Sequence, residues 1–162
     1  MGFFKEIWTF VKLLFTKIDM TQTKLEPWGV KYVLGDNYKY MTWCGKVLYH
    51  IEKPEDANLN PTDENHENIH LRQAQDKHSW IKYYWGYLWE WIKGNPFSRK
   101  AYYTNMNEVE AYAKEDDFGY LSRRPEGYVK EYKLSNKKQE WKNGGSNSYT
   151  FKKYIKEKYK NY

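Results

Sequence analysis

His66, Glu67 and His70 stand in the segment NHENIHLRQ, residues 65–73. On a helix, residues four apart share one face, so both imidazoles can point at a single ion. Zinc takes imidazole nitrogen at about 2.0–2.1 Å, and two histidines supply half of a tetrahedral shell. Glu67 projects beside them, awkward as a ligand but well placed to touch a water on the ion. This is the H-E-x-x-H arrangement: two ligands and a general base on one helical turn. The ion lowers the pKa of water toward neutrality, and the glutamate takes its proton as the water attacks a carbonyl. The competing reading is three polar residues on an ordinary helix.

Such a site needs a helix beneath the histidines and a third ligand from elsewhere. The loop KPEDANLNPTDE, 53–64, leads into the expected helix, with Thr62 as its cap and Asp63 and Glu64 favouring its positive end. The pattern predicts one helix over about 63–93, stopped by Gly94-Asn95-Pro96. His78 lies too far along that helix to share an ion, and His50, at the end of a strand, is a weak candidate. A carboxylate suits better. A second helix, about 107–121 with Asn107 as cap, carries Glu108 and Glu110. Two residues apart, only one of them can face an ion well. Acids early in a helix also favour its dipole without any metal. Gln73 shares the face of His66; a solvated glutamine is the plain reading, and a group orienting a ligand is the sharper one.

HENIH followed by EVEAY resembles the gluzincin pattern, in which a glutamate on a following helix is the third ligand. More closely, residues 40–121 resemble a group of small bacterial and phage zincin-like proteins. The shared features are Met41-Thr42 in a strand run, an NHExIHxxQ helix from Asn65 to Gln73, a Trp/Tyr-rich continuation, and ExEAY from Glu108 to Tyr112. The resemblance spans about half of the chain. It implies an α+β, zincin-like fold: a small sheet packed on the active-site helix, and a second, ligand-bearing helix. It further implies zinc as cofactor, His66, His70 and Glu110 as ligands, Glu67 as catalytic base, and a peptide or protein substrate. Tyr102, Tyr103 and Tyr112 are the candidates for stabilising an oxyanion.

The composition fits a folded body. Aromatic residues make up 20% of the 162, with eight Trp and seventeen Tyr, against a mean hydropathy of -1.04. Tyr and Lys can bury rings and stems while their tips stay wet, so an aromatic core is compatible with that polarity. The single cysteine, Cys44, excludes an intrachain disulfide and reads as a small buried residue. Of the net charge of +6, residues 130–162 carry +7, from ten Lys and three Glu. The expected organisation is an N-terminal amphipathic helix in 1–20, a zincin-like domain over 21–129, and a basic extension over 130–162. That extension, with Phe151, Ile155 and Tyr159 at helical spacing, reads as solvated or docked through its aromatics; nucleic acid is not an expected partner.

Residues 3–18 set Phe3, Phe4, Ile7, Trp8, Val11, Leu14, Phe15 and Ile18 against Lys5, Thr9, Lys12 and Thr16. The plain expectation is a helix docked on the core by its apolar side; the sharper one is a membrane-surface helix. No stretch reads as membrane-spanning, since the longest apolar run, 79–92, is short and carries Lys82 and Glu90. Lys5, Glu6 and Lys12 argue against a signal peptide. Short strands are expected near 28–35 and within 38–53, where Gly45 breaks the run. The second functional reading is a non-catalytic zincin-fold structural or interaction protein, such as a phage virion component with an assembly partner. The expected location is the cytoplasm or the periphery of a membrane, or a virion if the chain is phage-encoded.

Overall fold

A computed structural model describes residues 3–18, 24–28, 40–50 and 59–162. Among the described residues the chain is α+β, mostly helical with one small sheet, and it divides into two compact units, Met1–Ile81 and Lys82–Tyr162. The expected boundaries near 20 and 129 are not where this division falls.

The first unit holds helix α1 (Phe3–Leu13), strands β1 (Lys24–Trp28), β2 (Tyr40–Trp43) and β3 (Lys46–His50), and helix α2 (Pro61–Asp76). β3 is central, parallel to β1 and antiparallel to β2, and Trp43 pairs with Lys46 across the hairpin. The turn between β2 and β3 is Cys44-Gly45 alone, both at positive φ (49° and 77°), which is the type I′ geometry that matches strand twist. Gly45 therefore joins two strands and does not bulge one. A Cβ at Gly45 would come within 3.1 Å of Leu71 Cδ1 on α2, so the turn and that helix are in close contact. The strand near Pro27 begins earlier than expected. Proline is tolerated there because β1 is an edge strand. The expected continuation over 29–35 lies outside the described residues.

α1 is shorter than the predicted 3–18 and docks by a different side. Phe10 and Leu13 are buried, and Trp43 Nε1 donates to the Phe10 carbonyl at 3.0 Å. Phe3, Phe4, Ile7, Trp8, Val11 and Phe15 are exposed. The apolar stripe expected to face the core thus faces outward.

The long helix expected over 63–93 is two helices, α2 and α3 (Trp80–Lys93). His78 takes a left-handed φ of 54° between them, and the amides of Lys77 and His78 close on Ala74 and Gln75 carbonyls. No glycine or proline marks this break, so the pattern did not disclose it; histidine is among the non-glycine residues that tolerate such a φ.

The second unit continues with α4 (Arg99–Tyr103), α5 (Met106–Lys114), α6 (Tyr120–Arg123), a 3-10 helix (Tyr128–Tyr132), α7 (Lys137–Asn143) and α8 (Ser148–Lys158). Gly94 ends α3 so close to α4 that a Cβ would meet Ala101 Cα at 2.8 Å. The core gathers Val109 and Ala111 of α5, Tyr132, and Phe151 and Ile155 of α8, all inaccessible or nearly so. Lys114 Nζ donates at 3.0 Å to the Tyr159 carbonyl at the end of α8, satisfying a terminal acceptor with a cation. Within 130–162 the aromatic stripe of Phe151, Ile155 and Tyr159 is buried in this core, as expected of a segment docked through its aromatics. Among the described residues no helix is long and apolar enough to cross a membrane.

Candidate metal centre

α2 starts where proline and a capping side chain dictate. Asn60, not Thr62, is the cap: its Oδ1 accepts from the Asp63 amide at 2.8 Å, and Pro61 occupies the first turn, where a missing N–H costs nothing. Asn65, His66, Ile69, Gln73 and Ala74 are buried along this helix. A buried helix surface that is half polar is costly unless its groups are satisfied.

On that surface His70 Nε2 lies 3.2 Å from His66 Nε2, and the two rings meet edge to face at 4.9 Å. His70 Nδ1 lies 3.0 Å from Gln73 Oε1. An amide oxygen only accepts, so Nδ1 carries a proton, and in the neutral ring Nε2 keeps its lone pair. A proton on one of the two Nε2 atoms, or a cation, must then lie between the two nitrogens. In a tetrahedral zinc shell two imidazole nitrogens stand about 3.3–3.4 Å apart, so the pair is already near the separation an ion requires. Gln73 is 1% exposed, so the solvated reading does not hold. Glu67 is half-buried, and no hydrogen bond or ion pair engages it among the described residues.

The two carboxylates of α5 have different surroundings in the second unit. Glu110, the ligand the resemblance implies, is fully buried against Arg124: Arg124 Nε reaches Oε1, and a terminal nitrogen reaches Oε2 at 3.2 Å. Tyr120 OH also donates to Glu110 Oε1 at 2.8 Å. That carboxylate is held in a structural ion pair. Glu108, 2% exposed, accepts instead from Tyr87 OH at 2.8 Å. Burial first, then the Glu108 charge, holds the hydroxyls of Tyr87, Tyr102 and Tyr112 above their ordinary range, so all three remain protonated donors near it. Of the three tyrosines expected as oxyanion helpers, Tyr103 is the exception: it stacks on Trp141 at 5.9 Å.

Asn105 fixes this arrangement. Its Oδ1 accepts from the Asn107 amide at 3.1 Å and caps α5 in place of the expected Asn107, while its Nδ2 donates to the Tyr87 carbonyl at 3.0 Å. The start of α5 is thereby tied to the turn of α3 whose hydroxyl binds Glu108. Sequence reasoning missed Tyr87, which was absorbed into an aromatic run, and Arg124, which no spacing links to Glu110. His78 sits at the α2–α3 break; the side chain of His50 is outside what is described. No family model, curated protein or solved structure matches the chain.

Proposed function

We propose that His66 and His70 take Glu108 as their third protein ligand and hold a zinc ion, and that the protein is a zincin-like hydrolase of peptide bonds. The observation that carries this reading is the 3.2 Å approach of the two Nε2 atoms, with the tautomer of His70 set by Gln73. Two imidazoles and a carboxylate form a donor set suited to zinc with a position left for water. When bound, the ion would supply Lewis acidity, acidifying water and polarising a carbonyl.

The chain's own groups do the rest. Gln73 keeps the His70 lone pair aimed outward from Nε2. Tyr87 holds one oxygen of Glu108 and leaves its direction fixed. Glu67, on the same turn as His66, takes a proton from water and returns it to the leaving amine. Glu110 has no part in this; it secures α5 through Arg124. The choice of Glu108 over Glu110 revises the ligand set implied by the resemblance.

Gln73→Leu, which keeps the volume but removes the acceptor, is expected to weaken zinc binding about 10–100-fold, read by competition against a chromophoric chelator. Unchanged affinity would remove Gln73 from the site. Hydrolysis is tested separately, by incubating the zinc-loaded chain with a library of fluorogenic peptides. Glu67→Gln should keep the metal and lower cleavage by about 100-fold or more, the scale of a lost general base. Metal retained with cleavage equal in parent and variant, or absent in both, sinks the enzyme and leaves a metal-holding structural protein.

A further inference from the structure

The outward side of α3 is a built surface that the proposed metal site does not use. Trp85, Leu88, Trp89 and Ile92 recur at i, i+3, i+4 and i+7, and all four are exposed, Trp85 at 69% and Trp89 at 53%. Phe97, just past the helix, is almost wholly exposed. The inward side is what holds α3 in its unit: Tyr83 is buried, Tyr87 binds Glu108, and Glu90 accepts from Lys137 Nζ at 2.9 Å. The outward aromatics are not needed for that docking, and contiguous exposed apolar side chains of this size mark a surface that meets something.

The charge around them says what. Glu90 is the one acid of α3, and it is buried and paired with Lys93 and Lys137. The exposed charges bordering the apolar face are cationic: Lys82, Lys93 and, after the helix, Arg99. Lys93 Nζ sits 5.4 Å over the Trp89 ring, its stem along the apolar face and its ammonium at the edge. Residues 82–162 carry 17 Lys and Arg against 10 Asp and Glu. A second copy would bring like-charged rims together, whereas an anionic surface complements them. At 14 residues α3 is about 21 Å long, too short for a hydrocarbon core of about 30 Å, so it could lie only along an interface.

We propose that α3 docks in the plane of an anionic lipid bilayer, with Trp85 and Trp89 at headgroup level and Lys82 and Lys93 reaching the lipid phosphates. α1 shows the same combination independently, an exposed apolar side with Lys12 Nζ 5.4 Å over Trp8, so the test must isolate α3.

The test is flotation of the full chain with vesicles of phosphatidylcholine plus phosphatidylglycerol, and with phosphatidylcholine alone. The parent should float with the anionic vesicles, less so in high salt, and not with the zwitterionic ones. The double variant Trp85→Ser, Trp89→Ser, checked for an unchanged far-ultraviolet spectrum, should lose about tenfold or more in partitioning. A parent that stays at the bottom of the gradient overturns the proposal. So does a variant that floats as well as the parent, which moves lipid contact away from α3. A tryptophan-dependent dimer without flotation also overturns it and gives the face to a second copy.

Discussion

Arg124→Met is expected to destabilise the second unit by about 3–5 kcal/mol, a large share of the about 5–15 kcal/mol that holds a typical domain together. Arg124 and Glu110 are both inaccessible to solvent, and the guanidinium engages both carboxylate oxygens. Methionine fills similar space and leaves the carboxylate buried without that counter-charge. The same ion pair restored as an apolar pair, Arg124→Met with Glu110→Leu, should recover most of the loss, because desolvating two charges offsets much of their attraction. Urea unfolding of the four members of this cycle gives the answer. A loss below about 1 kcal/mol for Arg124→Met would show that the pair does not anchor α5.

The second large effect concerns the metal. Glu108→Gln is expected to weaken zinc binding by more than about 100-fold, above the range for residues that only orient a ligand. Glu110→Gln should retain the metal in its folded fraction while losing stability, since it breaks the ion pair with Arg124. The two carboxylates thus separate by readout: one moves affinity, the other the unfolding midpoint. Zinc held by Glu108→Gln and lost by folded Glu110→Gln would reverse the assignment. Both imidazoles must be neutral to bind, so zinc affinity should fall as the pH is lowered.

Much of this was readable from the sequence where local chemistry decides. The spacing of His66 and His70, the aromatic stripe of Phe151, Ile155 and Tyr159, and the stop at Gly94 each depend on residues within a turn or two. What escaped was decided at longer range. Glu108 and Glu110 look equivalent until Arg124 and Tyr120 claim one of them, 14 and 10 residues further on. Gln73 looked solvated because glutamine usually is; only the fold buries it and brings it within 3.0 Å of His70. The apolar stripe of α1 has the right period for docking, but period cannot say which side meets the body; Phe10, against Trp43, and Leu13 are buried instead. The break at His78 was invisible because a histidine adopted a conformation normally signalled by glycine.

The most direct test of the metal centre is elemental analysis of the chain purified without added metal or chelator, beside the double variant His66→Ala, His70→Ala. One zinc per chain is expected in the parent and none in the variant, with the variant still folded by far-ultraviolet spectrum. A parent that holds no metal and takes up none from micromolar zinc, or a variant that keeps the same zinc as the parent, would contradict it.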